Sequence, residues 1–121
     1  MEMNGSDRMA QRAIESLSAL ASSHRLAVFR VLVRAGNSGL PAGDIASRLD
    51  MPASSLSFHL SHLRQAELVI DKRVGRSIIY RANFGSMTAL IDYLLEECCS
   101  ESDCVDPDPK QQGSTHETSA C

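Results

Sequence analysis

A chain of 121 residues has room for one domain, and with 43% hydrophobic but only 4% aromatic residues its core must come from Leu, Ile, Val and Ala. That favours a small helical fold, and a monomer of this size buries its helices poorly, so a second copy would help. The net charge of −3 argues against a polyanionic partner only until it is resolved along the chain. Residues 1–82 hold 11 Lys and Arg against 7 Asp and Glu, a balance of +4, whereas 83–121 hold one Lys and 8 acids, a balance of −7. A basic body with an acidic tail is compatible with phosphate binding, because local potential steers association.

Residues 1–7 are polar and predict a frayed start. From about Met9 to Leu20, the spacing of Ala13, Ile14, Leu17 and Leu20 predicts a helix. Ser22 reads as the N-cap of a second helix, 23–34, with Leu26, Phe29, Leu32 and Val33 as its buried stripe. Gly36, Asn37 and Gly39 end it, and Pro41 opens a short helix over 42–49 at its first turn, with Ile45, Ala46 and Leu49 inward. Asp50-Met51-Pro52 turns the chain into a helix over 53–66. Two helices joined so tightly are a helix-turn-helix signal.

On the 53–66 helix, Leu56, Leu60, Leu63 and His59 gather on one side, and Ser54, Ser57, Phe58, Ser61 and Gln65 on the other. A small, hydroxyl-rich face without a carboxylate fits close against a phosphate-flanked groove. Leu68 and Ile70, then Ile78 and Tyr80, alternate as a hairpin about a Val74-Gly75-Arg76 tip. Lys72, Arg73 and Arg76 make that tip basic. Double-stranded operator DNA is the implied partner, met by Ser54, Ser55, Ser57, Phe58, Ser61, His62, Lys72, Arg73 and Arg76. His59 falls on the inward flank and reads as structural.

A last helix is expected from Asn83 or Phe84 to about Cys99, with Met87, Leu90, Ile91, Leu94 and Leu95 as a wide stripe. Residues 100–121 are acidic and nearly free of large apolar groups, which predicts a mostly disordered tail. The expected fold is mainly α with a β-hairpin wing: a winged helix-turn-helix domain over 8–99, dimerising through its N- and C-terminal helices. The alternative for those two helices is to pack on each other within one chain. No apolar run approaches a membrane span and no signal-peptide core is visible, so a cytoplasmic protein without a membrane partner is expected.

These stretches resemble the ArsR/SmtB winged-helix metalloregulatory repressors. Residues 19–32, ALASSHRLAVFRVL, are similar to the family's opening helix, and Asp44-Ile45-Ala46 to its Asp-Leu-Ala. Ser54-Ser55-Leu56-Ser57-Phe58-His59-Leu60, followed by Leu63-Arg64-Gln65-Ala66, resembles its recognition-helix signature. Arg73-x-Gly75-Arg76 with Ile79-Tyr80 resembles its wing. The resemblance spans about residues 15–95 and implies a homodimeric transcriptional repressor released by an inducer, not an enzyme. Pro52 stands where the family often has a Ser cap, and Phe58 where it often has His. The Cys-x-Cys pair of the arsenic-sensing founder type is missing from Leu40-Pro41-Ala42-Gly43-Asp44, and no His between 63 and 115 supplies a zinc site on the last helix.

A metal sensor of this kind would have to use the terminal thiols, since all four cysteines, Cys98, Cys99, Cys104 and Cys121, lie beyond residue 97. Cys98 is expected to continue the inward stripe of the last helix. Cys98, Cys99 and Cys104 offer three sulfurs and no His, which suits As(III) or Sb(III) as inducer above zinc. The alternatives are a thiol redox switch and an inert core cysteine. Glu96, Glu97, Glu101 and Asp103 are expected to raise the thiol pKa and slow oxidation. A thiol enzyme lacks a Cys-x-x-Cys pair and a nearby His.

Overall fold

The computed structural model describes residues 5–102. Helix α1 (Gly5–Leu20) meets helix α2 (Ser23–Ala35) across a tight joint. Ser22 caps α2 in extended backbone, its hydroxyl accepting from the Arg25 amide at 3.3 Å. Arg25 in turn donates its Nε–H to the Ala19 carbonyl oxygen at 2.7 Å, satisfying an acceptor that the end of α1 leaves open. Helix α2 is the centre of the fold. It is packed by α1, by the helices that follow and by the sheet, so it buries Val28, Phe29, Val31 and Leu32 over a broad arc. Leu26 and Val33, expected in its stripe, are exposed instead.

A 3-10 turn over Gly36–Ser38 leads into β1 (Leu40–Pro41), which the sequence pattern does not predict. Pro41 is the N-cap of α3 (Ala42–Leu49) and belongs to an edge strand, where its missing N–H costs no ladder bond. Asp50, left-handed at φ 52°, stops α3, and Pro52 precedes α4 (Ala53–Gln65). Strands β2 (Val69–Val74) and β3 (Ser77–Ala82) pair from Val69↔Ala82 to Val74↔Ser77, which leaves Gly75-Arg76 as a two-residue turn. Gly75 takes φ 63° at the first central position, where such hairpins favour glycine. Strand β1 adds to β3 through Leu40↔Tyr80 and Pro41↔Ile79, giving the order β1-β3-β2. The core joins Leu32, Ile45, Leu56, Leu60, Leu63, Leu68 and Ala82.

Helix α5 (Phe84–Leu95) ends four residues short of the predicted Cys99. No base stands in its last turn, and Glu96 and Glu97 place negative charge at the negative end of the helix dipole. The chain turns there, with Glu97 and Cys99 left-handed at φ 63° and 64°. Cys98 is therefore an exposed turn residue and does not continue an inward stripe. Helix α1 does pack on α5 within the chain, with Ala13, Ser16 and Leu90 buried. Yet Ile14 and Leu17 on α1, at 58% and 45%, and Ile91, Leu94 and Leu95 on α5, at 47%, 54% and 62%, stay exposed. Among the described residues no helix is long and apolar enough to cross a membrane.

Candidate nucleic-acid interface and thiol pair

The heptad-like spacing of Leu56, Leu60 and Leu63 buries one face of α4 against α2 and α3, and this turns the opposite face outward. Ser54, Ser55, Ser57 and Phe58 are exposed, and Ser61 and His62 half-buried. No residue of α4 is acidic. Phe58 stands 63% exposed, with its ring edge-on to His59 and His62 at centroid distances of 5.6 and 6.0 Å. The result is a hydroxyl surface with one braced aromatic projection.

Arg64, at the end of α4, donates to Asp71 Oδ2 on β2 at 3.0 Å. That pair fixes the hairpin's base to the helix and uses up the Arg64 charge internally. Lys72, Arg73 and Arg76 are exposed and form no ion pair among the described residues. A second fastening comes from Asn83. Its N–H donates to the Leu68 carbonyl oxygen at 2.8 Å, its Nδ2 to the Glu67 carbonyl oxygen at 2.9 Å, and its Oδ1 accepts from the Ser86 amide. It thus caps α5 while gripping the residues that end α4.

His59 turns inward, and its ring lies parallel to that of His24 on α2, centroids 5.5 Å apart and planes within 4°. Its Nδ1 is buried without a hydrogen-bond partner. Burial first, then the neighbouring His24, Arg25 and His62, hold its pKa below the ordinary imidazole value. Sequence spacing gives no warning of this stack, because the two residues are 35 apart and meet only through the α2–α4 packing.

Cys98 and Cys99 bring their sulfurs to 3.3 Å, both exposed and both free thiols. The Cys98 pKa is raised by the hydrogen bond shared with Cys99 and then by the charge of that neighbour. The carboxylates Glu96, Glu97 and Glu101, expected to cause such a rise, are not its source. Cys104 and Asp103 lie outside the described residues, and among the described residues no three His, Cys, Asp or Glu side chains form a group able to hold a metal ion.

A family model described as a helix-turn-helix domain matches residues 20–71, from the end of α1 into β2. The HTH-type transcriptional regulator NmtR of Mycobacterium tuberculosis is 35% identical over 83 residues, which cover 69% of this chain and 67% of that protein. The transcriptional activator HlyU of Vibrio cholerae is 27% identical over 99 residues, 82% of this chain and 89% of that one. Among solved structures, an ArsR-like transcriptional regulator from Rhodococcus sp. RHA1 superposes with a TM-score of 0.66 at 26% identity, over 76% of this chain and 83% of its own. These similar proteins are regulators of transcription. With a helix-turn-helix, a hairpin wing and a match to NmtR along most of its length, the chain belongs to the ArsR/SmtB family of DNA-binding winged-helix transcriptional regulators.

Proposed function

We propose that the chain is a homodimeric repressor of the metalloid-responsive kind. It holds operator DNA through Ser54, Ser55, Ser57, Phe58, Ser61 and His62 of α4 and Lys72, Arg73 and Arg76 of the hairpin. It releases that DNA when As(III) or Sb(III) is bound by Cys98, Cys99 and Cys104. Support for the dimer is the unpaired apolar side of α1 and α5, where Ile14, Leu17, Ile91, Leu94 and Leu95 face outward. Each such side chain is worth roughly 1.5–3 kcal/mol when removed from water. A two-fold pair would set two α4 helices about 34 Å apart, one turn of DNA.

The observation that carries the inducer is the thiol pair at 3.3 Å. The pair, with no His beside it among the described residues, would offer sulfur ligands only, a donor set that suits a thiophilic trivalent metalloid. Such an ion supplies a soft centre that joins thiolates. Cys104 is the proposed third ligand. Joining it to the pair would draw the chain beyond Ser102 back to the end of α5, next to the exposed Leu94 and Leu95. That is the surface a partner protomer would cover, so site and subunit contact would be coupled, typically by about 1–3 kcal/mol.

The test is arsenite uptake by the reduced chain, measured as bound arsenic per protomer. One ion per protomer is expected, with Cys98→Ser, Cys99→Ser and Cys104→Ser each losing it. No uptake by the parent chain with its thiols verified as reduced refutes the inducer assignment. Retention in Cys104→Ser moves the third ligand elsewhere. Release of DNA by peroxide with arsenite inert would make the same thiols a redox switch.

A further inference from the structure

We propose that the His24–His59 stack is a proton-sensitive seat for α4: the stacked rings hold the helix on α2, and protonation of His59 drives it off. A neutral imidazole with its proton on Nε2 presents a bare lone pair at Nδ1, which burial tolerates. The cation carries N–H at both nitrogens. Its Nδ1–H would then be a buried donor with no acceptor, because Nδ1 is enclosed and unpartnered. The stacked geometry offers no relief. His24 presents a ring face 4° from parallel at 5.5 Å, so the new charge meets a second titratable ring rather than a carboxylate.

The rest of the surroundings have the same sign. The charged groups that act on His59 are His24 and Arg25 from α2 and His62 from its own helix. Among the described residues α1, α3 and β2, which also pack on α4, bring no carboxylate to bear on it. Arg25 is held by its bonds to the Ala19 and Ser18 carbonyl oxygens, so it stays beside the stack. With the folded pKa below the unfolded value of about 6.5, the unfolded chain binds the proton more readily, and stability is lost as pH falls below about 6.5 through the folded value. The strain falls on α4, the helix that carries Ser54, Ser55, Ser57 and Phe58. Its consequence for DNA rests on the reading of α4 given above, but the seat can be tested without DNA.

The experiment is amide hydrogen exchange on the full, reduced chain at pH 7.5, 6.5 and 5.5, corrected for intrinsic rates, together with an NMR titration of the histidine rings. Protection of α4 amides is expected to fall by up to about tenfold per pH unit below 6.5, the limit for one linked proton, and by more than that of β3. His59 is expected to titrate below 6.5. His59→Gln and His24→Gln are expected to flatten the response of α4. The proposal is overturned if α4 protection is independent of pH, if His59 titrates at or above 6.5, or if His24→Gln keeps the parent's response. The ring titration reads the seat even if His59→Gln does not fold. A failed seat with DNA binding intact would leave the assignment of α4 as reader standing.

Discussion

Gly36 opens the 3-10 turn before β1 and Gly39 follows it, and the two allow the cost of backbone strain to be separated from the cost of collision. Gly36 has φ 73° and ψ −158°, and Gly39 has φ 69° and ψ −172°, a region that side chains other than glycine scarcely enter. Alanine at either position pays about 1–3 kcal/mol for the backbone, less about 0.4–1 kcal/mol regained from a stiffer unfolded chain. A Cβ at Gly36 meets nothing within 4 Å. At Gly39 it runs into the Tyr80 carbonyl oxygen and lies 2.9 Å from Ile79 Cγ2. The Tyr80 carbonyl cannot swing aside, since Tyr80 is paired with Leu40 in the sheet. Overpacking of this kind adds about 1–3 kcal/mol. Gly39→Ala should therefore unfold in urea at a cost about 1–3 kcal/mol greater than Gly36→Ala, read by far-UV circular dichroism with the slope m unchanged. Two variants within about 0.5 kcal/mol of each other would refute the reasoning, because it would mean that β1 moves off β3 freely.

Replacing Lys72, Arg73 and Arg76 together by Gln should weaken DNA binding and make its dependence on log salt shallower by about 2.7, at about 0.9 per lost phosphate contact. An unchanged slope in a fluorescence-anisotropy titration would remove the hairpin from the interface. Ile91→Asp with Leu94→Asp should yield a folded monomer by sedimentation equilibrium, since both side chains are exposed in the single chain. A persisting dimer would place the contact elsewhere. Asn83→Ala removes the Nδ2 bond to Glu67 and the cap on Ser86, at an expected cost of about 1–2 kcal/mol in thermal or urea unfolding, whereas Asn83→Asp keeps the cap and loses only the donor.

Where local chemistry decided the structure, the sequence was a good guide. Ser22 caps α2, Gly75 turns the hairpin, and the leucines of α4 bury the predicted face. It failed where tertiary packing or helix ends decided. Periodicity alone set the stripe of α2 on Leu26 and Val33, but elements on several sides of that helix bury Val28 and Val31 instead. A two-residue strand carries no periodicity, so β1 went unpredicted, and the glycines before it were read only as the end of α2. The end of α5 was carried on to Cys99 by counting apolar positions, although Glu96 and Glu97 at an uncompensated helix terminus are a stop signal of their own. With that correction, the adjacent thiols become an exposed pair on a turn. The set proposed to meet DNA is laid out on one helix and one hairpin, while the inward partner of His59 needed the fold to be found.

Asn83 gives the molecule a joint with no slack. One side chain and one amide bind the trailing end of α4 and, at the same residue, start α5. Helix α5 then runs about 18 Å, at 1.5 Å per residue, to the turn that holds the thiols. Helix α5 is held at Asn83 and again along α1, where Leu90 is buried, so its two fastenings tie it to both α1 and the residues that follow α4. The residues past Leu95 thus extend from a helix whose start is fixed to the Glu67 and Leu68 carbonyl oxygens.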